Sequence, residues 1–91
     1  MFLSPVSLWE IVVKQATGKL GGPADLAGQV RDLGFRELPV AHAHALAAGR
    51  LPLHHRDPFD RMLVAQASVE GLTLVSRDAV MSLYDVDLLT V

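Results

Sequence analysis

The most informative part of this sequence is the stretch His54–Ala67, which reads HHRDPFDRMLVAQA. Asp57 and Pro58 are typical of a helix start, because an N-cap Asp accepts hydrogen bonds from the first N–H groups and Pro has none to leave unpaired. Asp60 falls in the first turn, where the helix dipole favours a carboxylate. The apolar residues that follow have helical spacing, and they are Phe59, Met62, Leu63, Ala65 and Val69. The stretch therefore predicts a helix with an acidic start and one buried face.

The segment after this helix predicts a buried strand that ends at a carboxylate. The apolar run Leu72–Val75 is followed by Ser-Arg-Asp, so Asp78 lies just beyond the strand. Open α/β sheets bind ligands beyond the carboxyl ends of their strands. Asp78 therefore joins Asp60 as a candidate functional acid.

The rest of the chain alternates helices with short strands. The patterns predict a strand end at Phe2–Leu3, helices over about 5–17, 24–33 and 41–49, a strand over 35–40, a short helix near 79–83 and a strand over 87–91. The first helix opens with a second cap-then-proline signal, Ser4-Pro5, and carries Glu10 in its second turn. This alternation predicts an α/β fold in which helices cover a parallel sheet.

The tryptophan and the histidines of the chain are not candidates for catalysis or metal binding. Trp9 belongs to the apolar face of the first helix and is predicted to lie in the core rather than to stack on bases. His42 and His44 flank the short helix over 41–49 and are predicted to face solvent. Together with His54 and His55 they do not have the spacing of a zinc site.

Composition narrows the class of protein. The chain has 91 residues, of which 51% are hydrophobic, and this predicts one small globular domain. Its net charge of −2 gives no overall basic footprint, so contact with nucleic acid would depend on a local patch or on metal ions. The sequence has no cysteine, which excludes disulfides and agrees with a cytoplasmic location. No apolar run approaches the about 20 residues of a membrane span, so no membrane association is expected.

Glu10, Asp60 and Asp78 are the candidate catalytic and metal-binding acids. Each opens a helix or follows a strand, so a parallel sheet would bring all three to one edge. Clustered carboxylates repel one another unless a divalent cation neutralises them, and hard oxygen ligands suit Mg²⁺ or Mn²⁺. Taken singly, Asp60 also fits an ordinary first-turn acid and Asp78 a helix cap. Asp57 fits a cap better than a ligand.

Together these motifs resemble the PIN-domain ribonucleases, and among them the VapC-like toxins of prokaryotic type II toxin–antitoxin systems. The matching segments are SLWEI at 7–11 with Lys14 and Gly18-Lys19-Leu20, HRDPFDRML at 55–63, and LTLVSRD at 72–78. The resemblance implies a three-layer α/β/α fold around a short parallel sheet and Mg²⁺-dependent endoribonuclease activity. It also implies an RNA substrate, a cognate antitoxin and a homodimer, with Glu10, Asp60 and Asp78 as the matching acids.

Three arginines lie beside these acids in the sequence: Arg56, Arg61 and Arg77. They either form structural ion pairs with the acids or bind RNA phosphates in bidentate geometry. The sequence favours neither role over the other.

The resemblance also has a gap. Family members begin with a strand that ends in Asp-Thr, and this chain starts where the family's second strand should be in progress. The expectation is therefore a partial, N-terminally truncated PIN domain over residues 1–91 that lacks one acidic ligand. One interpretation is a Mg²⁺-dependent endoribonuclease toxin whose activity is weakened in this chain. The alternative is a non-catalytic PIN remnant that binds an antitoxin or dimerises, and a third is a small α/β binding module whose acids are all caps.

Overall fold

A computed structural model describes residues 1–53, 57–76, 81, 83–84 and 86–90. The chain divides into two units, Met1–Pro39 and Val40–Val91. Within the described residues, no helix combines the length and the apolar character that crossing a membrane requires.

The first unit joins two parallel strands through two helices. β1 (Phe2–Leu3) pairs with β2 (Arg36–Glu37), and Phe2 lies opposite Arg36. α1 (Pro5–Ala16) and α2 (Leu26–Arg31) connect the strands and pack against each other. The buried Ser4 caps α1, since its Oγ accepts a hydrogen bond from the Val6 N–H at 3.1 Å. The cap-then-proline signal thus marks the start of α1, as predicted.

The second unit repeats the parallel pairing. It contains α3 (His42–Arg50), α4 (Pro58–Glu70), β3 (Leu74–Ser76) and β4 (Leu88–Thr90). β3 and β4 are parallel with Leu74 opposite Leu88, and α3 packs on α4. A small core holds Val64, Met81 and Tyr84, against which Leu51, Leu74, Val86 and Leu88 pack.

α4 has a defined end as well as a defined start. Gly71 has a φ of +66°, the left-handed conformation that favours glycine and closes the helix. Val64, Ala65 and Ala67 are buried on α4, whereas Val69, predicted on the buried face, is exposed. The buried residues Val64–Ala67 are four in a row, more than the roughly 3.6 residues of one turn, so the middle of α4 is buried on every side and the prediction of one buried face is wrong there.

The order of the described elements and the parallel pairing agree with the sequence prediction, but the described strands form two two-stranded sheets rather than the one sheet predicted, and several elements are shorter. The helix expected over 24–33 spans Leu26–Arg31, and the strand expected over 35–40 spans only Arg36–Glu37. Pro39 lies just beyond β2, because a residue without an N–H cannot continue a ladder. The helix expected near 79–83 falls mostly outside the described residues.

The prediction that Trp9 lies in the core is wrong. Its side chain is 59% exposed, and Val12, one turn further along α1, is exposed as well. Apolar residues surround most of α1, and the side of the helix that contains Val6 is the buried one. Spacing alone does not show which side of such a helix faces the interior.

The prediction that His44 faces solvent is also wrong, whereas His42 is exposed as expected. His44 is only 2% exposed, and both of its ring nitrogens have the hydrogen-bond partners that a buried polar group needs. The Ala41 N–H donates to Nδ1 at 2.9 Å, and Nε2 lies 2.7 Å from Oε1 of Glu70. Since Nδ1 accepts, the neutral ring has its N–H at Nε2, which donates a hydrogen bond to the carboxylate. His44 therefore links the start of α3 to the end of α4.

Candidate functional site

The start of α4 presents two carboxylates. Asp57 is the N-cap, and its Oδ1 accepts from the N–H groups of Phe59 at 2.9 Å and Asp60 at 3.4 Å. Asp60 lies in the first turn of the helix. A carboxylate oxygen of Asp57 and one of Asp60 lie within 4.8 Å of each other, and both residues are half-buried. The predicted cap at Asp57 is confirmed.

This pair of acids fits a hard divalent cation by its chemistry. Mg²⁺ and Mn²⁺ prefer carboxylate and water oxygens, and two oxygens this close suit shared binding or a bridge through water. The positive end of the helix dipole offsets part of the repulsion between the two carboxylates. Asp57 was set aside as a cap in the sequence, but its spacing of three residues from Asp60 is the signal that places both acids at one helix end.

Glu10 occupies the second turn of α1 in the first unit. Its Oε2 accepts a hydrogen bond from the Lys14 ammonium at 2.6 Å, and its side chain is 19% exposed. A Glu that precedes Lys by four residues has the favourable orientation for a helical ion pair. Glu10 is therefore a carboxylate held by a neighbouring cation on its own helix.

Arg61 follows Asp60 directly but its guanidinium contacts the backbone at the end of α3. Nη2 donates to the carbonyl oxygens of Ala48 at 2.8 Å and Leu51 at 3.1 Å, and Nη1 donates to that of Pro52 at 3.0 Å. A cation near the last carbonyls of a helix is favoured by the helix dipole. Arg61 thus bonds the start of α4 to the end of α3, a structural role that differs from the ion pair with the acids and the RNA contact considered in the sequence. Contact of Arg61 with RNA phosphate stays a prediction.

The positions of the remaining candidates relative to Asp60 stay predictions. Asp78, Arg56 and Arg77 lie outside the described residues. Glu10 belongs to the first unit and Asp60 to the second. The convergence of Glu10, Asp60 and Asp78 therefore stays a prediction.

The helices connect parallel strands, so the chain is an α/β protein. Proteins of this class place their functional groups at the ends of strands and helices, where the carboxylates of α4 also lie. The family model described as PIN domain matches residues 1–87, and the chain belongs to the PIN-domain family. No curated protein and no solved structure gives a significant match to the chain.

Family membership confirms the resemblance found in the sequence at the level of the PIN domain and indicates a nuclease-like function. PIN domains typically use divalent metals, commonly bind RNA and often have antitoxin partners. The hard oxygen donors of Asp57 and Asp60 agree with that use of metal.

Proposed function

We propose that this protein is a Mg²⁺-dependent endoribonuclease and the toxin component of a type II toxin–antitoxin system. The observation that carries the proposal is the PIN-domain match over residues 1–87. The pair of half-buried carboxylates at the start of α4 supports it, because acids this close are stabilised by a divalent cation. The fold that we propose for the chain is a three-layer α/β/α sandwich.

In this proposal Glu10, Asp60 and Asp78 hold the metal, which is Mg²⁺ or Mn²⁺. A bound divalent cation lowers the pKa of its water and stabilises charge on a phosphate during hydrolysis. Asp57 fixes the first turn of α4 by accepting from the N–H groups of Phe59 and Asp60, and would thereby orient Asp60 for the ion. The chain thus supplies the hard ligands and, for Asp60, the capped helix start that carries it.

The proposed substrate is RNA, and the proposed protein partners are a cognate antitoxin and a second copy of this chain in a homodimer. Arg56 and Arg77 are the proposed phosphate contacts, since guanidinium groups bind phosphate in bidentate geometry. Arg61 is less suited to that role because it already donates to three carbonyl oxygens. We propose that the complex acts in the cytoplasm.

The test is cleavage of a structured RNA by the purified chain in Mg²⁺, in Mn²⁺ and in EDTA. Glu10→Gln, Asp60→Asn and Asp78→Asn should each lower the cleavage rate by about 100-fold, because a misplaced ion misaligns water and phosphate. Two exposed acids provide matched controls, Glu37→Gln for the first unit and Asp87→Asn for the second, and both should cleave at the wild-type rate.

Two results would count against the enzyme. Cleavage that survives EDTA would exclude a metal-dependent mechanism. An inactive chain that still binds an antitoxin peptide, and takes up no Mg²⁺, would establish the alternative of a non-catalytic antitoxin-binding module.

A further inference from the structure

The pair formed by Glu10 and Lys14 has a consequence for metal binding. The Lys14 ammonium lies 2.6 Å from Oε2 of Glu10, which is short for a pair on a helix surface. The Glu10 side chain is 19% exposed and that of Lys14 39%, so water screens the pair only in part. Lys14 thus supplies a positive charge beside this carboxylate.

We propose that Lys14 competes with a divalent cation for Glu10: the ammonium holds the carboxylate until the ion binds, and the ion then displaces it. The inference rests on the proposed function, because it takes Glu10 as a metal ligand. The Lys14 ammonium and the ion compete for the Glu10 carboxylate. The free energy of the Glu10–Lys14 ion pair is therefore subtracted from the free energy of ion binding.

The competition follows from the carboxylate that the two cations would share. Glu10 would hold the ion through the same carboxylate whose Oε2 the Lys14 ammonium already contacts at 2.6 Å. Two cations that share one carboxylate repel each other. By linkage, the ion weakens the contact between Lys14 and Glu10 by the same free energy by which Lys14 weakens the contact between the ion and Glu10. Removal of the ammonium should therefore tighten binding of the divalent cation. Partly exposed ion pairs are weak, so loss of the Lys14 ammonium should tighten the binding of the divalent cation by roughly two- to fivefold.

The experiment is a calorimetric titration of Mg²⁺ into the full chain and four variants. Lys14→Met removes the ammonium with little change in side-chain length and should lower the Kd for Mg²⁺ by roughly two- to fivefold at low salt, with a smaller effect at high salt. Lys14→Arg keeps a cation and should restore the wild-type Kd. Lys19→Met is the matched control, because Lys19 is an exposed lysine just beyond the same helix, and its Kd should equal that of wild type. Glu10→Gln should lose the high-affinity site.

A second readout follows the ammonium itself. In nitrogen-detected spectra of ¹⁵N-lysine protein, Mg²⁺ should shift the Lys14 Nζ resonance in wild type and leave it unchanged in Glu10→Gln. A merely structural lysine would not respond to the ion in this way, and the signal reports on Lys14 even if Lys14→Met folds poorly.

The outcomes separate the two proposals. If Glu10→Gln abolishes binding while Lys14→Met binds no more tightly than wild type and Nζ does not respond, the displacement of Lys14 is wrong and the metal site stands. If Glu10→Gln binds Mg²⁺ as wild type does, Glu10 is not a ligand and the proposed metal site is itself wrong.

Discussion

The buried histidine of the second unit offers a sharp test of what stabilises this fold. His44→Ala removes a side chain that is 2% exposed and bonded at both ring nitrogens. Loss of the cap bond from the Ala41 N–H should cost about 1 kcal/mol, and loss of the bond to the half-exposed Glu70 should cost about 0.5–1 kcal/mol. The space left by the ring should add about 1–2 kcal/mol. The expected decrease in the free energy of unfolding is therefore about 3 kcal/mol.

Two further variants make this prediction specific. Asn at position 44 can offer its Oδ1 where His44 offers Nδ1, so His44→Asn should keep the cap, lose the bond to Glu70 and cost about 1–2 kcal/mol. His42→Ala, at an exposed position of the same helix, should change stability by less than about 0.5 kcal/mol. The assay is urea unfolding followed by circular dichroism. If His44→Ala is no more destabilising than His42→Ala, the links from His44 to Ala41 and Glu70 do not stabilise the unit.

Two other predictions concern aspartates: the stability contributions of Asp57 and Asp60, and the pKa of Asp32. Asp57→Ala should lower the free energy of unfolding by about 0.5–2 kcal/mol, the usual range for a lost N-cap, whereas Asp60→Asn should cost less or even stabilise the metal-free chain by relieving repulsion; the reverse order in urea unfolding would contradict the assigned roles. The hydrogen bond and charge of Arg31 hold the pKa of Asp32 below its usual range, so Arg31→Gln should raise that pKa in a titration followed by NMR. Because the folded pKa is the lower one, the pair contributes to stability above the ordinary aspartate range, and the contribution is lost as the pH falls through the folded value.

Helix starts were predictable from the sequence because their signals are local. Ser4-Pro5 and Asp57-Pro58 each satisfy N–H groups two or three residues away, so a short segment contains the whole interaction. The acidic start of α4 was predictable for the same reason, whereas its role in metal binding stays a prediction. Parallel pairing followed from the alternation of helices and strands.

Burial and long-range bonding were not predictable in this way. His44 is buried because Glu70, 26 residues later, meets its ring, and nothing in the sequence near His44 encodes that contact. The guanidinium of Arg61 donates to carbonyl oxygens 9 to 13 residues earlier in the chain. Trp9 illustrates the same limit, since an apolar residue on a mostly apolar helix has no local signal for the side it faces.

The bonds of Arg61 have a consequence for how the second unit opens to solvent. One guanidinium on the first turns of α4 is bonded to three carbonyl oxygens at and just beyond the end of α3. Unravelling of that end must break all three bonds together, so the end of α3 and the beginning of α4 should exchange their amide hydrogens as one cooperative unit. The helix start that bears Asp57 and Asp60 is thereby joined to a neighbouring helix and protected from the fraying usual at helix ends.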